Sequence, residues 1–259
     1  MRNPHGTPIW YEYQARDVDA AQRFYAQVLG WSIASAGMAG GVDYRILTAA
    51  DGSGVGGMMT MPAGVPMPPG WLFYVGVDDV DATVARATAA GAAVRMPATD
   101  LPGVGRMALL ADPDGAPFYV MRGAVDDVSR AFAVPPDVAA GQAVWNELTT
   151  PDQDAAMAFY AGLFGWRHDG AMPMGPLGDY RFVHAGALAI GATMPAFAGA
   201  VPGWRVYFVV DDVDAALARL ATAGGAPVQG PDQVPGGQYA VVARDPDGAR
   251  FGFVGPRRM

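Results

Sequence analysis

The amino-acid sequence predicts an α+β fold of four strand–helix–strand–strand–strand modules, two in each of two tandem halves. Three observations predict it: an ordered internal repeat, short β-type runs alternating with amphipathic helical stretches, and Asp and Gly punctuation at matching places. Trp10-Tyr11-Glu12 is followed by Asp17-Val18-Asp19-Ala20-Ala21, Phe24-Tyr25-Ala26 and Gly30-Trp31. Trp145-Asn146-Glu147 is followed in the same order by Asp152-Gln153-Asp154-Ala155-Ala156, Phe159-Tyr160-Ala161 and Gly165-Trp166. Asp43-Tyr44-Arg45 returns as Asp179-Tyr180-Arg181, and Asp78-Asp79-Val80-Asp81-Ala82 as Asp211-Asp212-Val213-Asp214-Ala215. Asp112-Pro113-Asp114-Gly115 returns as Asp245-Pro246-Asp247-Gly248. Repetition at one near-constant shift marks a duplicated architecture, because each copy is one folding unit.

Each element follows from local chemistry. Residues 9–14 form a short aromatic and apolar run, as a strand requires. Asp17 or Asp19 can cap the following helix, since a carboxylate accepts its orphan N–H groups and suits its positive end. Ala20, Phe24 and Val28, with Ala21 and Tyr25, make one apolar stripe at helical spacing. Gly30 ends the helix by supplying a left-handed conformation. Strand-like runs follow at 44–49 and 55–61. The second module repeats the order: a strand at 71–77, a helix after Asp79 ending near Gly91, then strands near Val94, at 106–111 and at 118–122. The modules occupy residues 9–62, 71–122, 144–195 and 204–254. They group into a first domain at 8–122 and a second at 143–255, joined by a linker at 123–142 that contains Pro135-Pro136 and lacks periodicity. The Pro- and Gly-rich tracts 59–70 and 194–203 read as connectors between modules.

Composition narrows the functional classes. The chain has 259 residues, 51% hydrophobic and 16% charged, which suits compact folding. A net charge of −8 and no arginine cluster in the sequence disfavour nucleic-acid binding. Gly and Pro interrupt every apolar stretch well short of a membrane span, and the first residues carry no export-type apolar core. Cytoplasmic residence is the expectation. With no Cys there is no disulfide, thiolate nucleophile or thiolate metal site. No phosphate-cradling Gly-rich loop and no serine elbow is present.

The order strand, then Asp17…Phe24-Tyr25…Leu29-Gly30-Trp31, then Asp112-Pro113-Asp114-Gly115 before a last strand, occurring twice, resembles the glyoxalase, bleomycin-resistance and extradiol-dioxygenase superfamily, also called the vicinal-oxygen-chelate superfamily. The resemblance covers nearly the whole chain outside the linker. It implies tandem glyoxalase-like domains with cup-shaped mixed β-sheets that hold ligands in the cup. Metal-dependent members place His or Glu on the first strand of each module and Glu on the last. The corresponding positions here hold Trp10, Leu72, Trp145 and Arg205 on first strands, and Tyr119 and Gly252 on last strands, with the remaining ones near Gly57 and Ala192. None is a normal ligand for a divalent ion, which prefers imidazole, carboxylate or thiolate. No metal and no other cofactor is expected.

Glu12 and Glu147 are the only two glutamates in the sequence and fall at equivalent places in the repeats. Each lies two residues beyond a first-strand ligand position, so alternation turns it to the same face. A carboxylate there could act as general acid or base, or could fix a ligand's amine or hydroxyl. It could equally be structural, Glu12 pairing with Arg45 and Glu147 with Arg181, or a glutamate pairing with Arg205, which would reduce the value of Arg205 as an anion receptor. Alternation also selects Trp10, Leu72, Tyr74, Tyr119 and Met121 in the first half, and Trp145, Arg205, Tyr207 and Arg250 in the second, as ligand-binding candidates. Aromatic walls with few polar groups suit a flat or amphipathic small molecule. Any of these side chains could also be ordinary sheet or core residues. His184, at the place of Thr48, reads as a hydrogen-bonded strand residue. The expected protein is therefore a metal-independent small-molecule binder, related by resemblance to antibiotic-sequestering resistance proteins. A metal-independent isomerase, lyase or hydrolase using Glu12 or Glu147, and a protein-interaction scaffold, stand as alternatives. Because the duplication can supply an intramolecular pseudo-dimer, a monomer is expected.

Overall fold

A computed structural model describes residues 2–37, 42–61, 67–197 and 202–258. The first module comprises β1 (Pro8–Ala15), α1 (Val18–Leu29), β2 (Ser32–Ser35), β3 (Tyr44–Thr48) and β4 (Gly54–Thr60). The second comprises β5 (Gly70–Gly76), α2 (Val80–Ala89), β6 (Ala93–Leu101), β7 (Gly105–Ala111) and β8 (Pro117–Gly123). The third runs β9 (Ala143–Thr150), α3 (Gln153–Phe164), β10 (Arg167–Pro173), β11 (Asp179–Ala185) and β12 (Leu188–Pro195). The fourth runs β13 (Gly203–Val209), α4 (Val213–Thr222), β14 (Ala226–Gln233), β15 (Tyr239–Arg244) and β16 (Arg250–Gly255). Each sequence half contributes one eight-stranded mixed sheet. Within a module the first and last strands are parallel and the others antiparallel, as β1 with β4 and β3 with β4 illustrate. The tracts 59–70 and 194–203 lie partly outside the described residues.

The helices begin and end where side-chain chemistry requires. Asp17 accepts the Asp19 and Ala20 amides at 2.9 and 3.0 Å, and Asp152 accepts those of Asp154 and Ala155 at 3.0 Å each. Asp17, rather than Asp19, is thus the cap. Gly30 and Gly165 stop α1 and α3 at φ 76° and 69°, a region that L side chains avoid. Both Asp-Pro-Asp-Gly segments are turns with the glycine at φ 92°. The first aspartate accepts the amide four residues on, Ala116 at 2.7 Å and Ala249 at 2.8 Å.

Packing divides the chain into two compact units, neither of which matches a sequence half. One comprises Met1–Ile9, Leu72–Ser129 and Trp145–Trp204; the other comprises Trp10–Trp71, Arg130–Val144 and Arg205–Met259. The second unit combines modules one and four. There α1 packs against α4, Gln27 donates to the Thr222 hydroxyl at 2.9 Å, and Arg219 donates to the Val28 carbonyl at the C-terminal end of α1 at 3.0 Å. That cation suits the negative end of the helix dipole. Its core is aromatic: Tyr25 lies 4.9 Å from Tyr13, 5.1 Å from Trp71 and 5.3 Å from Phe251, while Trp31 and Trp71 each sit 4.9 Å from Phe208. The first unit combines modules two and three by the same logic. There α2 meets α3, and Tyr160 lies 5.3 Å from Trp166 and from Trp204 and 5.5 Å from Phe118.

One carboxylate closes each core. Tyr25 and Tyr13 donate to Asp245 Oδ2 at 2.8 and 2.5 Å, and Trp71 donates to the Tyr25 hydroxyl at 2.9 Å. In the other unit Tyr160 donates to Asp112 Oδ2 at 2.8 Å and Trp204 donates to Tyr160 at 2.9 Å. The Phe-Tyr helix motif of one half therefore reads the Asp-Pro-Asp-Gly turn of the other. Burial raises the carboxyl pKa of Asp112 and Asp245, and burial, then the neighbouring aspartate, raises the phenols of Tyr25 and Tyr160.

Candidate functional site

Because Tyr13 faces α1 through Tyr25, strand alternation turns Trp10, Glu12 and Gln14 to the side of the sheet away from the helices. The same reasoning places Leu72, Tyr74, Tyr119 and Met121 on that side of module two, opposite Phe118. Trp145 and Glu147 lie there in module three, and Arg205, Tyr207 and Arg250 in module four, opposite Phe251. Cross-strand registers agree: Glu12 stands beside Gly57, Ala192 beside Glu147 and Phe182 beside Ala192, Tyr74 beside Tyr119, and Tyr207 beside Gly252.

The structure brings these residues into distinct groups. In module three, Trp145 Nε1 donates to the Tyr180 hydroxyl at 2.7 Å, which donates to Glu147 Oε2 at 2.9 Å. The Phe182 ring stands 6.1 Å from both Trp145 and Tyr180, edge to face. Trp145, Tyr180 and Phe182 are half-buried, whereas Glu147 is 5% exposed. The result is an aromatic shelf with a carboxylate at its base. In module one, Trp10 donates to the Tyr44 hydroxyl at 2.9 Å, and Gln14 donates to Glu12 at 2.5 Å; Glu12 is 3% exposed. In module two, Tyr74 and Tyr119 stack at 4.2 Å with planes 10° apart, both buried beside Leu72, while Met121 is half-buried. In module four, Tyr207 is buried and lies over Gly252, where an added Cβ would come within 2.1 Å of the ring.

Several expectations change. Arg45 bonds to Asp19 and Asp43, each at 2.6 Å, and Arg181 to Asp154 at 2.6 Å, rather than to Glu12 and Glu147. The cause is register: Ile46 pairs with Gly57 and thus shares the face of Glu12, which turns Arg45 to the opposite side. His184 Nδ1 is buried without a hydrogen-bond partner, so the expected strand hydrogen bond at this nitrogen is not made. Two surface cavities, about 370 Å³ beside Arg106 and Arg122 and about 320 Å³ beside Gln27 and Arg219, contain none of the expected site residues. Tyr44, Tyr180 and Phe182 escaped the sequence reading as site residues. Tyr44 and Tyr180 were visible as repeat landmarks, and their recurrence beside the conserved-in-copy Trp and Glu was the usable signal.

The superfamily's divalent ion does not fit these residues. Trp10, Leu72, Trp145 and Arg205 offer no metal donor at the first-strand positions, and Gly252 is closed over by Tyr207. Gly57 is closed in the same way, its missing Cβ lying 2.2 Å from the Tyr44 ring. Among the described residues no group of three His, Asp or Glu side chains could hold an ion.

The fold and these faces define a class, and comparison with known proteins identifies it. The family model for the glyoxalase/bleomycin resistance protein/dioxygenase superfamily matches residues 8–120 and 142–253, so the chain belongs to that superfamily. The protein named "Putative glyoxylase CFP32" of Mycobacterium bovis is 36% identical over 255 residues, covering 97% of this chain and 95% of its own. The anthracycline biosynthesis protein DnrV of Streptomyces peucetius is 33% identical over 269 residues, covering 96% of this chain and 93% of its own. Among solved structures, the Mn(II)-bound glyoxalase of Novosphingobium aromaticivorans aligns with a TM-score of 0.64 at 21% identity, over 98% of this chain and 83% of that one. The 2,3-dioxygenase LapB of Pseudomonas sp. KL28 aligns at 0.66 and 15% identity, over 100% and 94%. At such identities the structural likeness establishes fold alone.

Proposed function

We propose that the protein binds a flat, largely aromatic small molecule without a metal ion, on the face of the sheet turned away from the helices. The observation that carries this reading is the half-buried shelf of Trp145, Tyr180 and Phe182 ending on the buried carboxylate of Glu147. Aromatic rings offer large contact area at low entropic cost, and one carboxylate beneath them can orient a ligand hydroxyl or amine. The absence of a donor set at the superfamily's ligand positions supports metal-free binding. Similarity to a protein named for anthracycline biosynthesis agrees with a polycyclic aromatic ligand. The test is ultrafiltration of the protein with a panel of polycyclic aromatic compounds, followed by mass spectrometry of retained and free fractions. A retained compound recovered unchanged, with retention reduced about tenfold by Phe182→Ala, is the expected result. No retention of any planar compound, or retention untouched by Phe182→Ala and Trp145→Ala, would overturn it.

A second reading follows from the Tyr180–Glu147 hydrogen bond, which holds a buried carboxylate in one orientation beside a hydroxyl donor. Such a pair can move a proton in an isomerase, lyase or hydrolase reaction. Conversion of a retained compound by the native protein but not by Glu147→Gln, with retention preserved, would establish this reading over simple binding.

A further inference from the structure

We infer that module four carries an oxyanion-binding site formed by Arg244 and Arg250. On β15 and β16 Arg244 pairs directly with Arg250, and on β13 and β16 Tyr207 pairs with Gly252. Arg205 and Arg250 lie two residues before that second pair, so all three arginines share one face and one level across three adjacent strands. Directly opposite side chains in a sheet have Cβ atoms about 5 Å apart, and like charges so placed repel. Arg205 and Arg250 are half-buried and Arg244 is exposed, which leaves the row accessible while part of it is shielded from water.

The other repeat supplies an internal control. In module two the same three positions, reached by the same cross-strand registers, are Leu72, Ala111 and Pro117. The next strand carries Ala93 in one module and Ala226 in the other, so only the three central positions have changed. An apolar row in one copy has become a cationic row in the other, in a chain whose net charge is −8. Some of its other arginines take carboxylate partners, as Arg106 does with Asp81 and Arg257 with Asp214. Among the described residues Arg244 and Arg250 make no ion pair. Arginine presents forked donors that match carboxylate and phosphate oxygens, and a bound oxyanion would relieve the repulsion. The class of ligand is therefore a small organic carboxylate or phosphate. The inference is independent of the aromatic shelf in module three.

The experiment is thermal unfolding of the full chain at constant ionic strength, titrated with inorganic phosphate, benzoate or chloride. Wild-type protein is expected to gain Tm saturably with phosphate or benzoate but not with chloride, since a ligand that binds the folded state stabilises it by mass action. Arg244→Ala and Arg250→Ala should each weaken the apparent affinity at least tenfold, while Arg257→Ala leaves it unchanged. In ligand-free buffer of low ionic strength Arg244→Ala should unfold at the same or a higher temperature than wild type, which a merely structural arginine would not allow. Phosphate acting better than benzoate assigns a phosphate ligand, and the reverse an aromatic carboxylate; either supports the site. No saturable effect of either anion, or equal affinity in the arginine variants, would overturn it.

Discussion

At Asp245 a carboxylate whose pKa burial raises is held by the hydroxyls of Tyr13 and Tyr25 and by the Ala249 amide. Asp245→Asn keeps the shape but misplaces one acceptor, and should lower stability by about 1–3 kcal/mol, the usual effect of an unsatisfied buried group. The pH dependence has a definite sign. A native carboxyl with a raised pKa holds its proton more tightly than the unfolded chain does, so its contribution is full below about 3.8 and declines as pH rises toward the native value. The wild-type advantage over Asp245→Asn in urea unfolding should thus shrink as pH rises above about 4; an advantage that grows would refute the assignment. Glycine positions give a second contrast. An alanine Cβ at Gly252 would strike the base of the Tyr207 ring, whereas at Gly57 it meets only the far end of Tyr44. Gly252→Ala should therefore cost about 1–3 kcal/mol and Gly57→Ala less, with the Trp10–Tyr44 bond lost in the latter.

The helices are the elements most fully specified by local chemistry, and their caps should respond individually. Asp17→Ala and Asp152→Ala each remove an acceptor for two backbone amides and should each lower stability by about 1 kcal/mol, measurable by thermal or urea unfolding. These positions were legible because a cap and its Gly stop depend on residues within one helix. The outer strands were harder to read. Ser32–Ser35 and Arg167–Pro173 are mostly exposed, so no apolar alternation marks them, and only the module pattern required their presence. On the first strands the two faces follow from alternation within one strand, as Tyr11 and Tyr13 mark the helix side of β1. Pairing Glu12 with Arg45 failed because it needed the register between β1, β4 and β3, which no single strand encodes. The Tyr25–Asp245 bond was equally hidden, since it joins residues 220 positions apart.

Each compact unit takes one module from each sequence half, which governs what a fragment can do. Residues 2–129 expressed alone would leave α1 without α4 and Tyr25 without Asp245 and Phe251. Such a fragment should self-associate or aggregate, and coexpression with residues 130–259 should restore a soluble complex, as size-exclusion chromatography would show. The full chain already contains both helix pairs, and we propose that it is a monomer; a stable dimer by light scattering at micromolar concentration would contradict this. The Tyr–Asp bonds also bear on how the two copies have been able to change since duplication. The helix side of each sheet is a shared lock, because a substitution at Asp112 or Asp245 is felt by a tyrosine encoded in the other half. On the opposite side Leu72, Ala111 and Pro117 in one copy stand against Arg205, Arg244 and Arg250 in the other. Duplication thus left the helix side under joint inheritance, while these three positions on the other side have specialised. A chimera made by exchanging one half with that of a relative should fold only when the tyrosines and turn aspartates are exchanged as compatible partners.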